Sequence, residues 1–183
     1  MFSSTLRTVF VAQRFFSTSS RCEMKVMCAV DGSAASQKVF DTAARMIKDD
    51  GDELFIFSAP DFDPSALVIN VGALHSGTFQ ESKAEESIHQ FAIASHKRAE
   101  QVVSDYTSKA KTLGIEHVHG IVPERVGAVR SDIRKTVDKH NVDMVVLGSR
   151  GLGALKRMVL GSVSAYALTH VNASICVVKP DNK

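Results

Sequence analysis

Apolar and polar positions along the chain keep two rhythms, one of near-continuous short runs and one of three- and four-residue spacing. Lys25-Val-Met-Cys-Ala-Val30 is almost wholly apolar and is closed by Asp31-Gly32-Ser33. Such a run suits a strand buried on both faces, followed by a turn that opens a helix with Ser33 or Ser36 as its N-cap. The next segment, through Lys48, places Val39, Phe40, Ala43, Ala44 and Ile47 at helical spacing and ends in Asp49-Asp50-Gly51. A second strand is predicted from Glu53 to Ser58. Residues 59–80 are rich in Pro, Asp, Gly and Ser without sustained period, which reads as a long surface loop. From Glu81 to Leu113 the positions Ala84, Ile88, Phe91, Ser95, Ala99, Val102, Tyr106, Ala110 and Leu113 mark one face of a long amphipathic helix, stopped by Gly114. The pattern then predicts a strand over Ile115–Val122, a helix over Gly127–His140, a strand over Asp143–Gly148, a helix over Ser162–Val171 and a last strand over Ser174–Val178.

Strands that alternate with helices imply right-handed βαβ units and a parallel sheet covered on both faces. The expected fold class is therefore α/β: an open, doubly wound, parallel five-stranded sheet with helices on both faces, Rossmann-like. Ligands of such sheets bind outside the carboxyl ends of the strands, where the direction of winding reverses. The ends of the first and fourth strands, at Asp31 and Gly148, are the places to look.

The stretch from Val145 to Ser164 carries the most chemistry. Gly148 and Gly151 follow a strand, nine residues separate Gly151 from Gly161, and Ser162-Val163-Ser164 open the next helix. Glycines after a strand let the backbone turn tightly and present N–H groups to a phosphate without a Cβ in the way. Gly161 lets the chain enter the next helix at close approach to a ligand. At the start of that helix, unbonded N–H groups and the positive end of the dipole favour an anion, and two hydroxyls add donors.

This spacing, with Val30-Asp31-Gly32-Ser33 and the order of elements across 24–179, resembles the ATP-binding universal stress proteins, whose signature is G-2x-G-9x-G-[S/T]. The resemblance implies that Ala29, Val30 and Asp31 contact base and ribose, with Asp31 an acceptor for ribose or base donors. It implies that Ala59 packs on the adenine, where a larger aliphatic residue is common, and that Leu147, Gly148, Arg150 and Gly151 line the ribose and phosphate side. Gly161, Ser162, Val163 and Ser164 complete the implied site. The ligand so implied is ATP, with the presence of Mg2+ left open. An Asp before Gly-Ser is also a common helix cap, so a structural role for Asp31 stands beside the ligand role.

No GxxxxGK[ST] occurs, Gly151-Leu-Gly153 lacks the third glycine of a dinucleotide fingerprint, and no local signature of a Ser-His-Asp or Cys-His site is present. Lys156 and Arg157 lie in the loop, where they either approach phosphates or face solvent. The chemistry reads as a nucleotide-binding stress-response regulator, with no catalytic residue assigned. The alternatives are an ATP-independent dimeric interaction module of the same fold and a slow ATP hydrolase. Family members commonly pair their last strands, so the resemblance also implies a homodimer through Ser174–Val178.

Composition bounds the partners and the address. The chain has 22 basic and 20 acidic residues; Arg7, Arg14 and Arg21 against Glu23 lie in the first 23, which leaves 19 of each in the rest. A neutral domain gives no electrostatic reason to bind nucleic acid or an anionic membrane, and no window has the roughly 18 uninterrupted apolar residues of a spanning helix. Cys22, Cys28 and Cys176 form no CxxC pair, and Cys28 and Cys176 fall in strands, as buried structural thiols. His117 and His119 share one side of a strand, with no third metal ligand evident. Residues 1–22 carry three arginines, many Ser and Thr and no acid, which is a transit-peptide composition and makes 1–23 a targeting segment ahead of a domain at 24–183. Arg14-Phe15-Phe16-Ser17-Thr18-Ser19 resembles the Arg-x-Phe-x-x-Ser pattern of mitochondrial precursors trimmed in two steps, which would leave Met24 as the mature start. The expected address is the mitochondrial matrix, or the cytoplasm if translation starts at Met24.

Overall fold

The computed structural model describes residues 23–48, 50–60, 81–124, 128–149 and 160–179. Five short strands, β1 (Lys25–Ala29), β2 (Glu53–Phe57), β3 (Val118–Ile121), β4 (Met144–Gly148) and β5 (Ser174–Val178), form one sheet in the order β3-β2-β1-β4-β5. Every pairing is parallel. Four helices join them: α1 (Ala34–Ala44), α2 (Glu81–Thr112), α3 (Val129–His140) and α4 (Ser162–His170). The chain winds outward from β1 through β2 to β3, returns to the other side of β1, and continues to β5. The reversal falls between β1 and β4, as the sequence predicts.

The central strands are apolar throughout because each side of the sheet is covered. Val26, Cys28, Val30, Leu54, Ile56 and Val146 join Val39, Phe40 and Ala43 of α1 and Val103, Tyr106 and Ala110 of α2 in one core. Met27, Phe55, Phe57, Val145 and Leu147 meet Ile133 and Val137 of α3 and Ala167 of α4 in the other. Phe40 is 1% exposed and stacks at a tilt on Tyr106, with centroids 5.1 Å apart. Burying a side chain of that size contributes roughly 1.5–3 kcal/mol. Cys28 is buried, and burial pushes its thiol up to about 12, so it is inert as a nucleophile. Cys176 is half-buried.

Element ends differ from the sequence reading where a capping motif takes residues that the apolar pattern assigns to an element. Residues Met46 and Ile47 keep the helical spacing but pack against the first core after α1 has ended, on a chain that turns toward β2. Gly114, at φ +83°, ends α2 as a left-handed cap, and Ile115 N–H donates back to the Ala110 carbonyl at 3.1 Å. Ile115 therefore belongs to the cap, and β3 starts only at Val118. Gly32 needs its glycine: its φ is +76° and an added Cβ would lie 3.0 Å from Val102 Cγ2 of α2.

At the amino end of the sheet, Glu53 ties three strands together. Lys25 Nζ lies 2.8 Å from its Oε1 and His119 Nε2 lies 2.9 Å from its Oε2. His119 stacks on Phe55, and His140 approaches the same ring at 5.1 Å between centroids. Of the paired histidines, His119 is engaged with Glu53 and Phe55 and His117 is exposed before the strand; among the described residues no group of three His, Cys, Asp or Glu could hold a metal. Burial, then the nearby Lys139, His119 and Lys25, hold His140 below the ordinary value of 6.5, against a raising effect of Glu53. The folded state thus prefers neutral His140, whereas the unfolded chain takes up its proton as pH falls below about 6.5. Stability should be flat above that pH for this group and decline below it. His140→Gln should flatten the decline in melting temperature as pH falls below about 6.5, which thermal unfolding across that range reads directly; an unchanged slope would assign the decline to other groups.

Candidate functional site

The strand ends at the reversal are fixed by main-chain bonds that run past the strands. Ala29 is the register partner of Phe57 on one side and of Leu147 on the other. Beyond them Val30 N–H donates to the Phe57 carbonyl at 2.9 Å, Ser58 N–H to Ile121 at 3.1 Å, and Ser149 N–H to Val178 at 2.8 Å. Gly161 N–H then donates to the Ser149 carbonyl at 2.9 Å, which brings the start of α4 against the end of β4 across a twelve-residue separation in sequence. Ser149 is the residue the sequence reading missed. It acts through its backbone, so its type gave no signal beyond its place inside the glycine motif.

Ala29, Ala59 and Val163 pack against the α3–α4 core, and Leu147, 2% exposed, belongs to it. Four of the residues that the sequence nominates are thereby brought onto one face, at the carboxyl edge. Val30 is separated from them: at 4% exposure its side chain lies in the core on the opposite face. It can offer a ligand main-chain atoms only. Gly148 ends β4 opposite Val178. Arg150 and Gly151, with Lys156 and Arg157, lie outside the described residues.

Asp31 is built into the entry of α1. Its Oδ1 accepts the Ser33 N–H at 3.0 Å and the Ser36 hydroxyl at 2.6 Å, while its own N–H donates to Ser36 Oγ at 2.9 Å. Ser36 is 3% exposed, so the hydroxyl needs that acceptor. Ser33 occupies the N-cap position without a side-chain cap bond, and Asp31 instead holds the turn into α1 through the Ser33 amide and the Ser36 hydroxyl. Of the two roles that the sequence leaves open for Asp31, one carboxylate oxygen is committed to the structural one.

The start of α4 has the opposite character. Its N-cap is Gly161, which has no side chain to offer the first turn, and the helix's first main-chain bond is Ala165 N–H to the Gly161 carbonyl at 2.9 Å. The amides of Ser162, Val163 and Ser164 precede that bond and have no acceptor within the helix. Ser162 is exposed. The Ser164 hydroxyl, by contrast, is buried and donates to the Gly161 carbonyl at 3.2 Å, so of the two hydroxyls expected to add donors it is Ser162 that faces outward. Gly161 itself has φ −62° and ψ 155°, a backbone that any residue adopts.

Residues 24–179 match the universal stress protein family. The chain belongs to that family. A putative universal stress protein of Staphylococcus aureus strain USA300 is 26% identical over 157 residues, which is 85% of this chain and 84% of that one. Among solved structures, the universal stress protein UspA from Lactobacillus plantarum shares the fold at TM-score 0.65 and 16% identity, covering 86% of this chain and 99% of its own. The universal stress protein from Archaeoglobus fulgidus, solved in complex with dAMP, shares it at TM-score 0.56 and 18% identity, covering 85% and 98%. This universal stress protein thus has the five-stranded parallel sheet of its relatives, and among its described residues no helix is long and apolar enough to cross a membrane.

Proposed function

We propose that this universal stress protein binds an adenine nucleotide, ATP foremost, across the carboxyl ends of β1 and β4, and acts as a ligand-dependent regulator in a stress response. The observation that carries the reading is the first turn of α4: three successive amides without a side-chain cap, held at the switch point by the bond from Gly161 to Ser149. That turn favours phosphate oxygens through its N–H groups and the positive end of the dipole. The apolar wall of Ala29, Ala59, Leu147 and Val163 suits a base beside it. The complex of the Archaeoglobus fulgidus relative with dAMP supports an adenine ligand for this fold. Mg2+ enters this reading on the phosphates of the nucleotide. The purified protein, denatured after mild isolation, is expected to release an adenine nucleotide identifiable by mass spectrometry; release of none, with no uptake of added ATP or AMP, would move the reading to an interaction module.

Strand β5 is at the edge of the sheet, and Ile175, Cys176, Val177 and Val178 are all half-buried apolar residues. An open apolar edge invites pairing, and a two-fold axis would pair β5 with its own copy. Val177→Lys is expected to convert a homodimer to monomer by light scattering, with circular dichroism unchanged; a wild-type monomer at micromolar concentration would end the idea. The acid-free leader assigns the protein to the mitochondrial matrix, with the mature chain starting at Met24.

A further inference from the structure

Met24 stands where an exposed chain becomes sheet. Glu23 is exposed, Met24 is half-buried against the first core, and Lys25 opens β1. The Met24 N–H donates to Asp52 Oδ1 at 2.9 Å, and Asp52 Oδ2 accepts the Lys48 N–H, also at 2.9 Å. Asp52 is 6% exposed. A carboxylate buried to that degree is costly without strong donors, and a cationic donor makes a shorter and stronger bond than a neutral amide. Charged side chains near this point include Glu23, then Lys25 and Glu53, paired with each other at 2.8 Å, and Asp143, whose Oδ2 accepts the Lys25 N–H at 2.8 Å.

We propose that Asp52 is the seat of a new N-terminus: cleavage of the Glu23–Met24 bond turns the Met24 nitrogen from an amide into an α-ammonium that remains on Asp52 as a buried ion pair. In that hydrolysis a peptidase adds water across the C–N bond, the hydroxyl passing to the Glu23 carbonyl carbon and a proton to the Met24 nitrogen. At neutral pH the leader departs with a carboxylate and the domain keeps the ammonium. The inference rests on the reading of residues 1–23 as a leader; the structure adds the receptor for the terminus that its removal creates. It also gives processing a consequence. In the precursor the group that Met24 presents to Asp52 is a neutral amide and in the mature chain it is a cation, so removal of the leader strengthens that one bond. A cut before Phe16 would leave the amine eight residues upstream, with Met24 still an amide.

The test uses the full-length chain, taken up and matured by mitochondria and recovered folded. The protein is exposed at about pH 7.5 to an amine-acetylating reagent, and the N-terminal peptide is read by mass spectrometry, for wild type and for Asp52→Asn. The expected result is a start at Met24, with its α-amine acetylated about tenfold more slowly in wild type than in the variant, a factor that corresponds to about one unit in the pKa of the amine. A start at Met24 with equal rates would overturn the seat and leave the leader reading standing. A start at Phe16 or further upstream would overturn both. Should Asp52→Asn not be recovered folded, the midpoint of wild-type labelling against pH decides: well above the ordinary α-amino range of about 7.7–8.0 supports the ion pair, and a midpoint within that range contradicts it.

Discussion

Gly161→Val is expected to leave the protein folded and to abolish the nucleotide binding proposed for it. The separation of the two effects follows from the backbone: at φ −62° and ψ 155° valine meets no torsional penalty, and the Gly161 N–H still reaches the Ser149 carbonyl. What changes is the branched side chain placed at the mouth of the α4 first turn, where phosphate oxygens are to approach the amides of Ser162, Val163 and Ser164. Ser162→Ala is the graded control. It removes an exposed hydroxyl and keeps every amide, so the loss is that of one hydrogen bond to a charged group, about 1.5–3 kcal/mol or roughly ten- to a hundredfold in affinity. Titration calorimetry together with circular dichroism checks both. A Gly161→Val variant that binds like wild type would show that the turn is not the phosphate site, and a variant that unfolds would show that the glycine serves packing.

Asp31→Ala should lower stability as well as affinity, because its Oδ1 is the acceptor for the Ser33 amide and for the buried Ser36 hydroxyl. Leaving those donors without a partner costs about 1–3 kcal/mol, visible as an earlier denaturant midpoint. Asp31→Asn separates the roles. The amide oxygen can still accept both bonds, so most of the stability returns, while the negative charge is gone. If the carboxylate also serves the ligand, the Asn variant will fold nearly as well as wild type and bind more weakly. Equal affinity of wild type and Asp31→Asn would make the residue's role structural alone.

The sheet was legible because the central strands are buried on both faces. Val26-Met27-Cys28 and Val145-Val146-Leu147 can be apolar throughout only in a doubly covered sheet, and the helices between them keep their spacing over whole turns. The start of α4 was legible for a different reason: three glycines and a serine at fixed intervals are a covalent pattern that does not depend on packing. What escaped was decided by hydrogen bonds between residues whose types are unremarkable. The bond from Gly161 to Ser149 is main chain to main chain. The Asp31–Ser36 exchange depends on Ser36 being buried inside α1, which its spacing alone does not reveal. Val30 was nominated with Ala29 and Asp31, yet strand alternation turns its side chain into the opposite core.

The most direct test of nucleotide binding at the β1–β4 switch point is a calorimetric titration of the wild-type protein, freed of co-purified ligand, with ATP, ADP and AMP. Saturable binding of at least one of them, at one site per chain and removed by Gly161→Val, is the expected result. No heat of binding from any of the three, with the wild type and the Gly161→Val variant equally folded, would contradict it.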